Sequence, residues 1–255
     1  MTERDEYYNR AKQEGYRARS AYKLKQLDGE ADLFDRGDSV VDLGAAPGGW
    51  LQVAAEAVGP QGTVVGVDLQ RIEALDHGGV ETIRGDLTDQ ETIDRLRDAA
   101  GDAVDVVLSD MAPNMTGEYS VDHARSVYLA RQAYHAALDL LAPGGDLVTK
   151  VFEGPDLAAL REEMEEDFEY VRAVHPEASR DASSELYLVA KGHLTAPVTA
   201  GDERTVDIVD EGREGDGIAR IDGFTIFVPD TTVGEEVAVR IDEVKPRFAF
   251  AERRD

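Results

Sequence analysis

Lys150 stands in the apolar run Val148-Thr-Lys150-Val-Phe152. An ammonium is costly to bury there unless something uses it or pairs with it. The chain has six lysines against 21 arginines, so a lysine kept at such a place carries weight. A salt-bridged structural lysine is the competing explanation. Leu108-Ser-Asp110-Met-Ala-Pro-Asn114 ends a second apolar run in a carboxylate. Lys23, in Arg19-Ser-Ala-Tyr-Lys23-Leu24, and Glu185, in Glu185-Leu-Tyr-Leu188, add a charge of each sign. Lysines and carboxylates gathered in an apolar site can orient a weakly acidic hydroxyl or take its proton.

A second group of residues suits a nucleoside. Val40-Val-Asp-Leu-Gly-Ala-Ala-Pro-Gly-Gly-Trp50 reads as strand, glycine-rich turn and helix start, which lets a ligand approach the backbone closely. A dinucleotide fingerprint would need glycines at 44, 46 and 49, but position 46 is alanine and 47 is proline. A nucleoside ligand without a pyrophosphate fits better. Asp68 ends the next apolar run, where a carboxylate can accept from both ribose hydroxyls, and Asp86 follows the third, where it can meet an adenine amino group. Each aspartate alone could be a helix cap. Taken in order with the glycine-rich turn, they resemble class I S-adenosylmethionine methyltransferases.

These residues need strand ends to stand on. Strands are predicted over residues 39–43, 63–68, 80–84, 104–109, 146–151, 168–175 and 185–191. Helices are predicted over 5–28, 50–58, 88–100 (capped by Thr88), 122–141 (closed by Pro143-Gly144-Gly145) and 156–167. Such alternation predicts an α/β fold: a Rossmann-like, seven-stranded, mostly parallel sheet that binds ligands beyond its carboxyl strand ends. After residues 194–202, a linker, only strand-like segments follow, over 204–209, 217–221, 224–228, 236–244 and 248–252, with a hairpin signal at Asp222-Gly223. Residues 1–193 therefore read as one domain and 203–255 as a small all-β, OB-like barrel.

Charge is the unusual bulk property: 53 acidic residues against 27 basic give a net charge of −26. Backbone binding to nucleic acid is driven by cations, so either the partner is no polyanion or the protein works in molar salt, where repulsion is screened within about 3 Å. Scarce lysine and dispersed acids favour the second, halophilic reading. Residues 1–25 hold seven basic and four acidic residues, a candidate polyanion contact or simply a solvated helix face. No stretch approaches the roughly 18 apolar residues of a membrane span. There is no cysteine, and the N-terminus is polar, so the cytoplasm is the expected location. Histidines 77, 123, 135, 175 and 193 are scattered without ligand spacing, so no metal is expected.

Arg19-Ser-Ala-Tyr-Lys23-Leu24, Asp42-Leu-Gly-Ala-Ala-Pro-Gly-Gly-Trp50, Ser109-Asp-Met-Ala-Pro-Asn114, Lys150-Val-Phe152 and Ser184-Glu185-Leu-Tyr-Leu188 together resemble the FtsJ/RrmJ (RlmE) family of ribosomal RNA methyltransferases. The resemblance implies that Lys23, Asp110, Lys150 and Glu185 form that family's catalytic tetrad. It implies S-adenosyl-L-methionine as cofactor, contacted by Gly48, Trp50, Asp68, Asp86 and Asp110. It also implies a uridine 2′-hydroxyl of 23S rRNA, in the large ribosomal subunit, as substrate. Residues 203–254 resemble a TRAM domain, a small RNA-binding barrel. A sulfonium is already an activated methyl donor, so the transfer needs alignment and an alkoxide-like nucleophile. Lys150 either accepts the hydroxyl proton or steers the oxygen; proton acceptance is the reading adopted, with Asp110 and Glu185 holding the amine. Arg10, Lys12, Arg17 and Arg19 could clamp phosphates beside Lys23. In the barrel, Arg220, Lys245 and Arg247 stand among Phe224, Phe227 and Phe248, which serve as core or as stacking surface. The competing functions are a tRNA 2′-O-methyltransferase, a non-catalytic ribosome-assembly factor and a small-molecule methyltransferase.

Overall fold

The computed structural model describes residues 3–254 apart from 76, 102, 180–183, 213–214, 222 and 246. The chain divides into two compact units, Met1–His193 and Leu194–Asp255.

The first unit opens with α1 (Glu3–Glu14) and α2 (Ala21–Ala31), continues through β1 (Ser39–Leu43), α3 (Gly49–Val58), β2 (Thr63–Asp68), β3 (Val80–Arg84), α4 (Gln90–Ala100), β4 (Val104–Ser109) and α5 (Tyr119–Leu140), and ends in β5 (Leu141–Phe152), α6 (Leu157–Asp167), β6 (Phe168–Val174) and β7 (Glu185–His193). Its seven strands lie in the order β3-β2-β1-β4-β5-β7-β6. β1 to β5 are parallel to one another, while β7 runs antiparallel to β5 and to β6. The Rossmann-like class expected from the alternation is therefore the one observed. Val41, Leu43, Val65 and Val67 face one layer with α4, α5 and α6, and Val40, Val64, Val106, Leu108 and Val148 face the other with α2 and α3. Burial on both faces explains why these strands read as unbroken apolar runs.

Three boundaries differ from the sequence reading by more than two residues. The single helix expected over 5–28 is two helices. Gly15 takes φ +83° and the Tyr16 amide donates to the Ala11 carbonyl at 2.8 Å, the glycine-terminated helix end that only a residue without Cβ adopts cheaply. α5 starts at Tyr119, because the Asp122 amide already reaches the Glu118 carbonyl at 2.9 Å. β5 starts at Leu141, which pairs with Val104; the ladder then shifts register and resumes at Asp146 opposite Val106, so Pro143-Gly144-Gly145 lies within the strand's span.

The second unit holds β8 (Glu203–Glu211), β9 (Gly217–Ile221), β10 (Phe224–Val228), β11 (Glu236–Val244) and β12 (Phe248–Arg253), closed as a barrel in the order β10-β12-β11-β8-β9. Asp222 of the expected hairpin turn lies outside the described residues; Gly223 beside it has φ +85°, and Ile221 pairs with Phe224 across the turn. Val206, Ile208, Ala219, Ile226, Val239 and Ala249 fill the interior.

Candidate active site

Strand register assembles the first charged pair. Ser109 pairs with Thr149, so the next residues, Asp110 and Lys150, emerge side by side at the carboxyl ends of β4 and β5. Lys150 Nζ donates to Asp110 Oδ1 at 2.8 Å and to the Asp110 carbonyl at 2.5 Å. Tyr187 lies directly across from Lys150 in the β5–β7 ladder, and its hydroxyl donates to the same Oδ1 at 2.6 Å. Because β7 is antiparallel, its first residue, Glu185, reaches the same sheet edge, two positions from Tyr187 and on the same face. There Glu185 accepts a short hydrogen bond from Lys23, which α2 supplies from the layer above. Lys23 Nζ also lies 5.7 Å from the centroid of the Tyr187 ring.

Lys23, Asp110, Lys150 and Glu185 thus meet as two ion pairs with Tyr187 between them. Lys150 and Lys23 are only 6% and 8% exposed. At that burial, removing either carboxylate would strand a cation in a poor solvent. Burial, followed by the Asp110 and Glu185 carboxylates, raises the Tyr187 hydroxyl well above its ordinary pKa, which keeps it a donor to Asp110. The sequence reading passed over Tyr187, although its two-residue spacing from Glu185 was the available signal.

Beside this cluster lies the glycine-rich turn. Gly44 takes φ +76°, and a Cβ there would sit 2.3 Å from Met111 Cγ. Gly48 takes φ +106° at the start of α3, where no side chain caps the helix and its first amides remain for a ligand. Trp50 is buried: its indole N–H donates to the Ser20 carbonyl at 2.8 Å and its ring centroid lies 5.7 Å from that of Tyr187. The Trp50 side chain therefore ties α3 to the start of α2. Asp68 accepts the Ala46 amide on Oδ2 at 3.0 Å and the Gln70 amide on Oδ1 at 2.7 Å, leaving acceptor capacity on both oxygens. Asp86 Oδ1 accepts the Thr88 amide and hydroxyl at 2.9 and 2.8 Å, bonds that hold its carboxyl below the ordinary range. Thr88, expected to cap α4, serves this turn instead, and Asp89 occupies the cap position. Asp86 lines an open cavity of about 590 Å³ with Arg84, Gln90 and Arg95. Asp42, two residues before Gly44, is buried with Oδ2 unpartnered. Burial, then Asp110 and Asp68, push its carboxyl well above the usual range.

Residues 16–193 match the model of the FtsJ-like methyltransferase family. The chain belongs to that family. Residues 197–253 match the TRAM domain. A protein of Halorubrum lacusprofundi named ribosomal RNA large subunit methyltransferase E is 66% identical over 256 residues, spanning 100% of this chain and 95% of that protein. A Natronomonas pharaonis protein of the same name is 64% identical over 252 residues, 99% of both chains. The crystal structure of a Plasmodium falciparum protein assigned as a ribosomal RNA methyltransferase superposes on 71% of this chain and 100% of its own, with 26% identity and a TM-score of 0.61.

In this FtsJ-like methyltransferase most of the basic residues expected at an RNA surface have partners within the protein. Arg17 donates to the carbonyls of Pro47 (3.2 Å), Glu73 (2.6 Å) and Ala74 (2.6 Å), clamping the glycine-rich turn to the segment after β2. Arg19 reaches the Ala178 carbonyl at 2.7 Å. Arg10 pairs with Glu14 at 2.8 Å and lies 4.9 Å from the Tyr22 ring centroid, while Lys12 is exposed on α1. In the barrel, Arg220 donates to Thr225 at 3.2 Å, Lys245 pairs with Glu243 at 2.5 Å, and Arg247 precedes β12. Phe224 packs against the barrel core. Phe227 and Phe248 do not: with Phe250 they form an outward cluster, ring centroids 5.4 to 5.7 Å apart.

Proposed function

We propose that this chain transfers the methyl group of S-adenosylmethionine to the 2′-hydroxyl of a uridine in 23S rRNA of the large ribosomal subunit, in the cytoplasm of a cell rich in salt. The hydrogen bonds of Lys150 carry the reading. Two donor positions of Nζ are spent on the carbonyl and Oδ1 of Asp110, and Tyr187 locks that carboxylate from the other side. With two of its N–H positions directed at Asp110, the remaining position of Nζ is left to face a nucleophile. Lys150 is placed to take the 2′-hydroxyl proton on Nζ; the O–CH3 bond would form as the C–S bond of the sulfonium breaks, and the sulfur would leave as a neutral thioether. Lys23 and Glu185, paired beside Tyr187, orient the ribose.

Bound S-adenosylmethionine supplies an activated methyl on sulfur. The acceptors suit it: Asp68 has lone pairs for ribose hydroxyls, Asp86 is a held carboxylate suited to an adenine amino group, and Gly48 and the Trp50 amide offer a close-approach backbone at the start of α3. Residues 1–193 form the catalytic domain, 194–202 a linker and 203–255 the RNA-binding domain. Lys12, Arg10 and Arg19 contact RNA from the arm, while Arg220, Lys245 and Arg247 contact it around the outward phenylalanines. Arg17, expected among these contacts, acts by holding the glycine-rich turn.

The test is transfer of labelled methyl, in molar KCl, to large subunits and to tRNA, with Lys150→Ala as control. Subunits are labelled, tRNA is not, and the variant loses about 10²- to 10⁴-fold in rate, the usual worth of a positioned proton acceptor, while still binding cofactor. Labelling of tRNA alone would move the substrate. No labelling of either, with cofactor bound, would overturn the enzymatic reading.

A further inference from the structure

We infer that Tyr119 is a stacking platform for a base of the RNA strand flanking the methylated nucleotide, an inference that rests on the RNA-methylating function just proposed. Tyr119 opens α5, directly beyond the loop that leaves Asp110 at the end of β4. Its side chain is 58% exposed, yet it is fixed at both ends. The hydroxyl donates to the Glu153 carbonyl at 2.5 Å, three residues past Lys150. The ring lies parallel to that of His123, with centroids 6.3 Å apart and planes 12° apart. His123 is buried and bonded at both ring nitrogens: Nδ1 lies 3.1 Å from the Phe152 carbonyl, and Nε2 accepts the Asp156 amide at 3.3 Å. The loop below is pinned by Asp122, which accepts the Thr116 amide and hydroxyl at 2.8 Å each and the Gly117 amide at 3.0 Å.

The hydroxyl bond and the histidine contact hold the ring while its outer face stays open to solvent. Met115, in the same loop, is also exposed, at 64%. Arg125, two residues beyond His123, is exposed and donates to the Asn114 carbonyl of the same loop at 3.4 Å. Three residues of chain span at most about 10 Å, roughly three stacked bases at 3.4 Å each, so the base concerned lies within a few nucleotides of the target. Stacking also suits this chain physically. It does not depend on charge, so neither molar salt nor a net charge of −26 weakens it.

The experiment is steady-state methyl transfer to unmethylated large subunits in molar KCl by the full chain, Tyr119→Ala and Tyr119→Phe, with S-adenosylmethionine affinity measured by calorimetry. Tyr119→Ala raises KM for subunits about 5- to 150-fold, the range for loss of one base–aromatic stack, with kcat and cofactor affinity unchanged. Tyr119→Phe, which keeps the ring, stays near wild type. Three results would each overturn the platform: an unchanged KM in the alanine variant, an equal defect in the phenylalanine variant, or a loss of cofactor affinity in Tyr119→Ala. A wild-type enzyme inactive on subunits would sink the proposed function, and the platform with it.

Discussion

Asp42 is the residue whose energetics run against the rest of the site. It is buried in β1 with Oδ2 unpartnered, and desolvation, then Asp110 and Asp68, raise its carboxyl pKa well above the usual range. The native state therefore binds a proton that the unfolded state has already released. Its penalty is absent below the unfolded value of about 4 and grows as pH rises toward the folded value, so stability falls with pH across that window. Asp42→Asn, which mimics the protonated form, should raise the melting temperature at pH 7 by an amount that shrinks to nothing near pH 4. A difference independent of pH would mean that the charge of Asp42 is not the burden. Lys150 and Asp110 were legible at this scale, because a charge at the end of an apolar run has few uses. Tyr187 was not singled out, since a tyrosine inside a strand also reads as ordinary core; its role comes from the partner across the ladder. The hold of Arg17 on the glycine-rich turn was not legible for a related reason. The carbonyls that hold it lie up to 57 positions away, and nothing in local spacing points to them.

At the scale of elements, sheet register does most of the assembly. The β4–β5 pairing sets Asp110 beside Lys150, and the reversal of β7 brings Glu185 and Tyr187 to the carboxyl edge of the parallel strands. The parallel sheet itself was readable from strand–helix alternation. The break between α1 and α2 was not, because Gly15 sits in a run of charged residues and tyrosines that shows no change of period. That break frees residues 15–20 to run along the site. Gln52 donates to the Gly15 carbonyl at 3.0 Å and accepts the Arg17 amide at 2.8 Å, while the Arg17 guanidinium clamps the turn and the segment after β2. Arg17→Ala should weaken S-adenosylmethionine binding by about 1.5–2 kcal/mol, the lower part of the range for bonds to a charged group because the fork is partly exposed. Arg17→Lys should not rescue it, because an ammonium cannot bridge three carbonyls with a planar fork. Calorimetric titration of both variants checks this, and full rescue by lysine would show that charge rather than geometry matters.

On the scale of the whole molecule, charge sets the problem that RNA binding must solve. With 53 acids and 27 bases, long-range attraction to phosphate is not available. Several of the arginines expected to supply local attraction are engaged with carbonyls and carboxylates of the protein itself. Affinity must then come largely from contacts that salt does not screen. The barrel offers such a surface. Ile226, Ala249 and Ala251 point inward, so strand alternation turns Phe227, Phe248 and Phe250 outward, and Phe250 is 40% exposed. From the sequence, barrel core was the favoured place for Phe224, Phe227 and Phe248; it holds for Phe224 but not for Phe227 and Phe248, because inward and outward registers of a short strand differ by one residue. The double variant Phe227→Ala/Phe248→Ala removes rings that lie outside the barrel core, so its melting temperature should stay close to wild type. Its affinity for 23S rRNA should fall by a constant factor at every salt concentration, leaving the slope of log K against log [KCl] unchanged. An ionic contact behaves differently: removing one phosphate contact flattens that slope by about 0.7 to 0.9 and has less effect as salt rises. A loss of affinity that fades in molar KCl would therefore assign RNA binding by the barrel to its cations rather than its rings.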